Sequence, residues 1–440
     1  MKKRVLPSIL ISMGQPISGL SYLPEEEAAL LSSSQEGEVQ AAALLHPGKI
    51  GDEEFLEKCP NAKPHPFVPH SYLYRKEEYP LGKSFLFDVG AFYLQDPSAM
   101  MASYLLAPKP GEVVLDMCAA PGGKTIGAAL LLGEDGIVLS NDVSYPRSLT
   151  LSQNVERMGL GNVILTNEDL TLPHPKWNGR FGAILLDAPC SGMAMFRKNE
   201  QAKEEWSPAK VARFAEVQAK LLQRAAAFLA PGGRILYSTC SFAYEENEGQ
   251  IASFLSMNKE FKAIRFPIDD PSFFHGETIP EAITLFPHRF AGEGQFLCLL
   301  QKEGESETHP RKKYTVKGEA SSFLKRFGLA GRHAEIWKGQ TISLPFAFDI
   351  DGKIIRKGLI CLDEKGNPAQ ALARYLPAEK TLPLDEKQAR LYLHGDTFPY
   401  PGQGYVCFRY EKRPIGWAKI VNGLAKNHYP KGLRHVYESL

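Results

Sequence analysis

Val113-Val114-Leu115-Asp116-Met117-Cys118-Ala119-Ala120-Pro121-Gly122-Gly123-Lys124-Thr125 is the stretch that decides the fold. A short apolar run gives way to small residues and glycines, and a lysine then opens a helix-like segment. A parallel strand hands a ligand to a helix N-terminus in this way, with backbone N–H groups and the positive end of the helix dipole aimed at it. Gly-Gly-Lys-Thr at 122–125 invites a phosphate-loop reading, but that motif needs a glycine five positions before Gly123, where Cys118 stands. There is no G-x-G-x-x-G for a dinucleotide. Asp142 closes the next apolar run, where a carboxylate can hold both hydroxyls of a ribose, so a nucleoside-like ligand fits better.

Outward from this stretch, short apolar runs alternate with longer amphipathic ones, the pattern of an α/β domain beginning near residue 86. Strands are expected at 112–115, 136–141, 162–166, 183–186, 233–238 and 295–301, and helices at 125–132, 148–158, 209–229 and 245–257. Regular β-then-α order implies right-handed crossovers and a parallel sheet. Asp142, Asp169 and Asp187 all fall at strand ends, the edge at which open α/β sheets bind ligands. The fourth strand runs into Asp187-Ala188-Pro189-Cys190-Ser191-Gly192 and the fifth into Ser238-Thr239-Cys240-Ser241. A lone buried cysteine is usually an inert small hydrophobe. Two of them ending adjacent strands at the ligand-bearing edge can face one pocket, which suits nucleophilic catalysis.

The chain has 440 residues, too many for one core, and two to three domains are expected. Its net charge of +1 conceals an asymmetry: residues 311–440 carry 23 Lys+Arg against 12 Asp+Glu, leaving 28 against 38 for residues 1–310. A basic third of this kind points to a polyanionic partner, against the plainer reading of a solvated lysine-rich surface. The polar run at 303–313 reads as a linker, and Pro60–His70 as a loop or linker. The expected organisation is therefore an N-terminal segment at 1–85, an α/β domain at 86–302, the linker, an α+β region at 314–385 and a small β-rich module at 386–440. Seven cysteines without a C-x-x-C pair, and no zinc-ligand spacing among cysteines and histidines, suggest a reduced cytoplasmic protein with no metal. Met1-Lys2-Lys3-Arg4 before an apolar run superficially resembles a secretory signal, but Pro7 interrupts the run and Gly14 follows soon after. No run approaches a membrane span.

Taken together, Cys118–Thr125, Asp187–Gly192, Ser238–Ser241 and Gln95-Asp96-Pro97-Ser98 resemble the motifs of the RNA (cytosine-5)-methyltransferases of the Nop2/Sun family, closest to the bacterial RsmF-type ribosomal RNA enzymes. They cover roughly residues 86–302; the basic C-terminal extension matches the RsmF-type layout more loosely. The resemblance implies a Rossmann-like, seven-stranded class I methyltransferase domain with a small N-terminal α+β segment packed on it. It also implies a C-terminal RNA-binding region made of a ferredoxin-like unit and a PUA-like β-rich module. S-adenosylmethionine is the implied cofactor, held by Cys118, Ala119, Ala120, Pro121, Gly122, Gly123 and Lys124. Asp142 would bind its ribose and Asp169 its adenine, while Asp187 would lie between cofactor and target base. Arg147 would reach the cofactor edge or pair with an acid. Cys240 would be the nucleophile and Cys190 the residue that helps release product.

The chemistry calls for this inventory. Carbon 5 of cytosine is too weak a nucleophile to attack a methyl sulfonium, and thiolate addition at carbon 6 makes it enamine-like. The thiolate has to form near pH 7 from a thiol of ordinary pKa about 8.5, so an electropositive setting is expected, with Lys124 a candidate. Asp187, protonated or sharing a proton with N3, would neutralise charge building on the base. By the same resemblance, DNA enzymes use the cysteine of Pro-Cys as nucleophile and RNA enzymes that of Thr-Cys; having both favours RNA. Cys118 reads as part of the loop wall. Arg197-Lys198 either touch RNA or are solvated loop charges, and Asn247 is expected to cap the helix after the nucleophile. The family's Arg-Val-Asn-Thr-like segment is replaced by Leu45-His46-Pro47-Gly48-Lys49-Ile50, which keeps only Lys49 from that pattern. The expected partner is RNA, ribosomal RNA or the small ribosomal subunit, with no need of an oligomer. Transfer RNA as substrate, or a catalytically idle RNA-binding assembly factor, are the alternatives; an idle binder has no need of the cysteine pair.

Overall fold

Strands covered on both faces bury every residue, and so read as unbroken apolar runs rather than alternating ones. The computed structural model, which describes residues 20, 23–33, 40–305 and 319–434, builds a sheet from such runs. Its strands are Val113–Asp116 (β1), Ile137–Asn141 (β2), Val163–Thr166 (β3), Phe181–Asp187 (β4), Leu229–Thr239 (β5), Phe261–Ile264 (β6) and Gln295–Lys302 (β7). They lie in the order β6-β7-β5-β4-β1-β2-β3. The five strands from β5 to β3 are mutually parallel, and β7 and β6 run antiparallel at the edge. The chain leaves β1 toward β2 and β3, then returns to place β4 on the other side of β1. This reversal opens a crevice at the strand C-termini between β1 and β4, where ligands of such sheets bind.

Side chains alternate between the two faces, and each face is closed by helices. Val114, Val138 and Leu185 pack under Gly123–Leu132 (α1), Tyr145–Met158 (α2) and the helix Pro97–Leu106. Leu115, Leu139, Ile184 and Ile235 pack under Pro208–Phe228 (α3) and Glu248–Met257 (α4). Ser207 caps α3 with Pro208 in its first turn, and Asp96 caps Pro97–Leu106 in the same way. Gln95-Asp96-Pro97-Ser98 is thus a helix start, and Asp96 Oδ2 also accepts from Glu293 N at 3.0 Å.

The N-terminal segment forms a four-stranded sheet from Lys63–Pro64, Ser71–Tyr74, Ala41–Leu45 and Phe92–Gln95. Pro60–His70 is not a linker: His65 is buried, with its ring bonded to Pro97 O at 3.2 Å and to Val68 N at 3.1 Å. Of the expected linker at 303–313, residues 306–313 lie outside the described residues, as does the signal-like stretch at the N-terminus.

Beyond it, three antiparallel strands (His333–Trp337, Gln340–Leu344, Leu359–Leu362) lie with the helices Glu319–Arg326 and Gln370–Tyr375. The strand order is not ferredoxin-like, because Ile354–Lys357 (β8) leaves this sheet and pairs antiparallel with β3. Ile342, Leu344, Phe346 and Phe348 join the catalytic core on the α3 side. This region is built into the methyltransferase sheet rather than hung from it. The last module is a five-stranded sheet with the helix Glu386–His394, and its Tyr392 and Phe408 share a core with Phe55 and Phe92 of the N-terminal segment. Among the described residues, no helix is long and apolar enough to cross a membrane.

Candidate active site

The loop after β1 turns sharply because Gly122, at the N-cap of α1, sits at φ +119°, where a Cβ would meet Leu151 Cδ1 at 2.7 Å. Backbone bonds stitch this loop onto the end of β2: Ala119 N donates to Asn141 O at 2.8 Å and Ala120 N to Asp142 Oδ2 at 3.2 Å. Asp142 Oδ1 accepts from Ser144 N at 2.9 Å. Arg147 lies across the same edge, pairing with Asp142 Oδ2 at 3.4 Å and donating to Ala120 O. The acid pairing is one of its two expected roles. Asp169 is exposed at the end of β3, its Oδ1 closing a turn with Thr171 N at 3.0 Å. Burial, and then Asp116, Asp142 and Asp187, push the Cys118 thiol well above its ordinary range, which leaves it unreactive in the loop wall.

Asp116 was not singled out by the sequence beyond its place in the stretch, yet it is wholly buried. Its Oδ2 accepts from Thr125 Oγ1 at 2.7 Å, while Oδ1 has no partner. Burial pushes its pKa up from 3.8 to about 7, the Thr125 hydrogen bond opposing the rise. The folded protein therefore holds this proton more tightly than the unfolded chain. The stability so gained is whole below about pH 4 and is lost as pH rises through about 7. Asp116→Asn keeps the bond from Thr125 and abolishes the titration. Its melting temperature is expected to fall less than the wild type's between pH 5 and pH 7.5; parallel profiles would refute the assignment.

Lys124, in the first turn of α1, reaches Asp187 at the end of β4, Nζ to Oδ2 2.7 Å. Burial works against its charge, but Asp187, with smaller help from Cys240 and Asp116, outweighs burial and raises its pKa. The ammonium is thus held charged beside the cysteines. Asp187 Oδ1 accepts from Ser238 Oγ at 2.7 Å and from Gln295 Nε2 at 2.9 Å. Asp187 thus meets a donor on each of its two oxygens.

β4 and β5 are neighbours, Asp187 opposite Ser238, so the loops that follow them lie side by side. Cys190 Sγ and Cys240 Sγ are 3.1 Å apart, both partly exposed. The hydrogen bond to Cys240, then burial, push the Cys190 thiol well above its ordinary range, with the charges of Cys240, Glu246 and Asp187 adding to this.

Glu246, which the sequence reading passed over as one of several acids near a helix start, holds this geometry. It is fully buried, and it accepts from Ser191 N at 2.8 Å and Gln218 Nε2 at 3.1 Å on one oxygen. Its other oxygen takes the hydroxyls of Ser191 and Ser241, both at 2.5 Å. Each serine follows one cysteine, so a single carboxylate ties the two loops together. Asn247 braces the same loop and does not cap α4 with its side chain: Oδ1 accepts from Thr239 Oγ1 at 2.6 Å and Nδ2 donates to Ser241 O at 2.8 Å. Arg197 and Lys198 are both ion-paired, Arg197 nearly buried and Lys198 at the exposed rim. Arg197 is bound to Glu293 at 2.8 Å and Lys198 to Asp96 at 3.1 Å, fixing the loop after Cys190.

A parallel sheet with a ligand crevice at the β1/β4 reversal, a glycine loop and acids at strand ends defines a Rossmann-like methyltransferase. The chain matches the sequence profile of the 16S rRNA methyltransferase RsmB/F over residues 103–301 and that of the RsmF PUA domain over residues 379–435. It is 30% identical over 423 residues to the ribosomal RNA small subunit methyltransferase F of Enterobacter sp. (strain 638), with 88% of each chain covered. The protein of that name from Vibrio cholerae serotype O1 is 28% identical over 433 residues, covering 88% of this chain and 89% of the other. The crystal structure of a methyltransferase homolog protein from Pyrococcus horikoshii superposes with a TM-score of 0.58 at 28% identity, covering 67% of this chain and 98% of that one. The chain belongs to the ribosomal RNA small subunit methyltransferase F family.

Proposed function

We propose that this protein methylates carbon 5 of a cytidine in small-subunit ribosomal RNA, with S-adenosylmethionine as donor and Cys240 as the covalent nucleophile. The observation that carries the reading is the pair of sulfurs 3.1 Å apart at the ends of β4 and β5, beside the charged Lys124. The relatives' names supply the class of RNA. The β1 loop fits the cofactor: Asp116 Oδ1 is a buried acceptor with no protein partner, suited to an ammonium donor, and unpaired groups of this kind call for such an explanation. Residues 118–124 would line the cofactor, with Asp142 toward the ribose and Asp169 toward the adenine edge. When bound, S-adenosylmethionine supplies an electrophilic methyl group.

The protein's own residues do the rest. The target base is unstacked to enter the crevice, at a cost of a few kcal/mol offset by contacts elsewhere on the RNA. Cys240 thiolate adds to carbon 6, with Lys124 supplying the positive charge that favours the anion. Asp187, held by three donors, presents an acceptor edge to the base and keeps Lys124 in place. Cys190 serves the elimination that frees Cys240. Bisulfite sequencing of small-subunit ribosomal RNA, from cells with and without the protein, tests the reading. One cytidine is expected to lose its 5-methyl mark in the deletion and regain it on complementation; identical maps would refute it.

A further inference from the structure

Where three parts of the chain meet, a polar cavity of about 480 Å³ opens between α2, the N-terminal segment and the C-terminal modules. That volume is in the range of small-ligand sites, roughly 300–1,000 Å³. Arg157 and Arg374 line it, and Lys49 lies behind them, close enough for each arginine to depress its pKa after burial has done so. Their hydrogen bonds go to uncharged groups. Lys49 Nζ donates to Val89 O at 2.9 Å, Arg157 Nη1 to Phe87 O at 2.7 Å, and Arg374 Nη2 to Tyr429 Oη at 3.2 Å. Among the described residues, none of the three is salt-bridged to a carboxylate. Of the two acids lining the cavity, Glu156 is taken by Arg356 at 2.9 Å, and Asp88 stands near Arg157, one carboxylate against two guanidinium groups. Gln370, also in the lining, has a buried Oε1 with no partner.

Buried like charges are tolerated when an anion compensates them, and an orphaned acceptor calls for a donor. A nucleotide brings both: a phosphodiester for the guanidinium groups and base N–H groups for Gln370, with the Tyr429 ring and the Asn154 amide at hand. We propose that this cavity binds a nucleotide of the substrate RNA outside the target base, its phosphate set against Arg157 and Arg374. The proposal rests on the reading of the protein as an RNA methyltransferase. It gives Lys49, the surviving residue of the family's N-terminal pattern, a place behind the site and not in direct contact with RNA. Asn154 also donates to Pro121 O at 3.0 Å, so the same helix surface touches the cofactor loop.

Removing a buried arginine risks the fold, so the test adds negative charge at two lining positions on α2 that reach solvent. Ser152→Glu/Gln153→Glu changes the net charge as much as Lys262→Glu, which sits on the exposed edge of β6 at the far end of the sheet. Binding of transcribed small-subunit ribosomal RNA is measured by filter retention across a salt series, with melting temperature as the check on folding. At 0.1 M salt the double variant is expected to bind about tenfold more weakly and to lose about 0.7 of a unit of salt slope, roughly the contribution of one phosphate contact on a single strand. Lys262→Glu is expected to stay within about twofold. Equal losses in both, or no loss in the double variant while the wild type still methylates RNA, would overturn the site and leave the function standing. If the wild type neither binds nor methylates the RNA, both fall. If cytidine 5′-monophosphate raises the melting temperature of the wild type alone while RNA affinity is unchanged, the cavity is a free-nucleotide site and the RNA assignment is overturned.

Discussion

Replacing Cys240 with alanine should lower methyl transfer by on the order of 10⁴-fold or more, about 5.5 kcal/mol of barrier. On the proposed mechanism carbon 5 of cytosine becomes a competent nucleophile only when a thiolate has added at carbon 6, and among the described residues the other two cysteines near the site are less suited to that addition. Cys118 lies in the loop wall, its thiol pushed well above the ordinary range. Cys190 is the nearest sulfur, 3.1 Å away, but its thiol is likewise pushed up, first by the bond to Cys240. Cys240→Ser should be nearly as inactive, because a hydroxyl beside Lys124 is far harder to ionise than a thiol. Partly exposed at a strand end, Cys240 contributes little packing, so both variants should bind S-adenosylmethionine and RNA almost as the wild type does. The measurement is transfer of labelled methyl to ribosomal RNA under single-turnover conditions. Activity within tenfold of wild type in Cys240→Ala would remove Cys240 as the nucleophile and direct attention to Cys190.

Much of this architecture is legible in the sequence where it depends on local pattern. β1 to β4 are short apolar runs, and the reading misses their ends by two residues or fewer, while Ser207-Pro208 announces α3. Asp187, Cys190 and Cys240 could be singled out because each falls just where such a run stops. What escaped the sequence depends on contacts distant along the chain. β8 is four residues long and pairs with a strand nearly two hundred residues earlier, so nothing in its own composition marks it as part of the catalytic sheet. Glu246 sits in a Glu-rich helix start, where acids are usually solvated complements of the helix dipole; its partner Ser191 lies 55 residues away. Arg197-Lys198 look like surface charge until Glu293 and Asp96 are found against them. Periodicity carries the sheet, whereas buried ion pairs and clamps appear only once the strands are side by side.

The same geometry makes Cys190→Ala the more diagnostic variant. It should stall the reaction after methylation, leaving protein joined to RNA through a thioether that survives denaturation. Two of the causes that raise the Cys190 thiol, including the largest, come from Cys240: the hydrogen bond between the sulfurs and the charge on Cys240. Both vanish once the Cys240 sulfur is bonded to carbon 6, leaving burial, Glu246 and Asp187. Adduct formation therefore removes part of what raises the thiol, while burial, Glu246 and Asp187 continue to raise it. On the proposed mechanism Cys190, having given its proton to water, would take the proton from carbon 5 as the carbon 5–carbon 6 double bond re-forms and the carbon–sulfur bond breaks to return Cys240. Glu246, tied to Ser191 and Ser241, keeps the two sulfurs in register through this exchange. Without Cys190 the addition still proceeds while the elimination loses its base, a loss of about 10²–10⁴ in rate. Labelled RNA incubated with Cys190→Ala and S-adenosylmethionine should appear as a slow-migrating species on a denaturing gel, approaching one adduct per protein, whereas the double variant with Cys240→Ala should show none. Free turnover by Cys190→Ala with no retained RNA would mean that another group takes the carbon 5 proton.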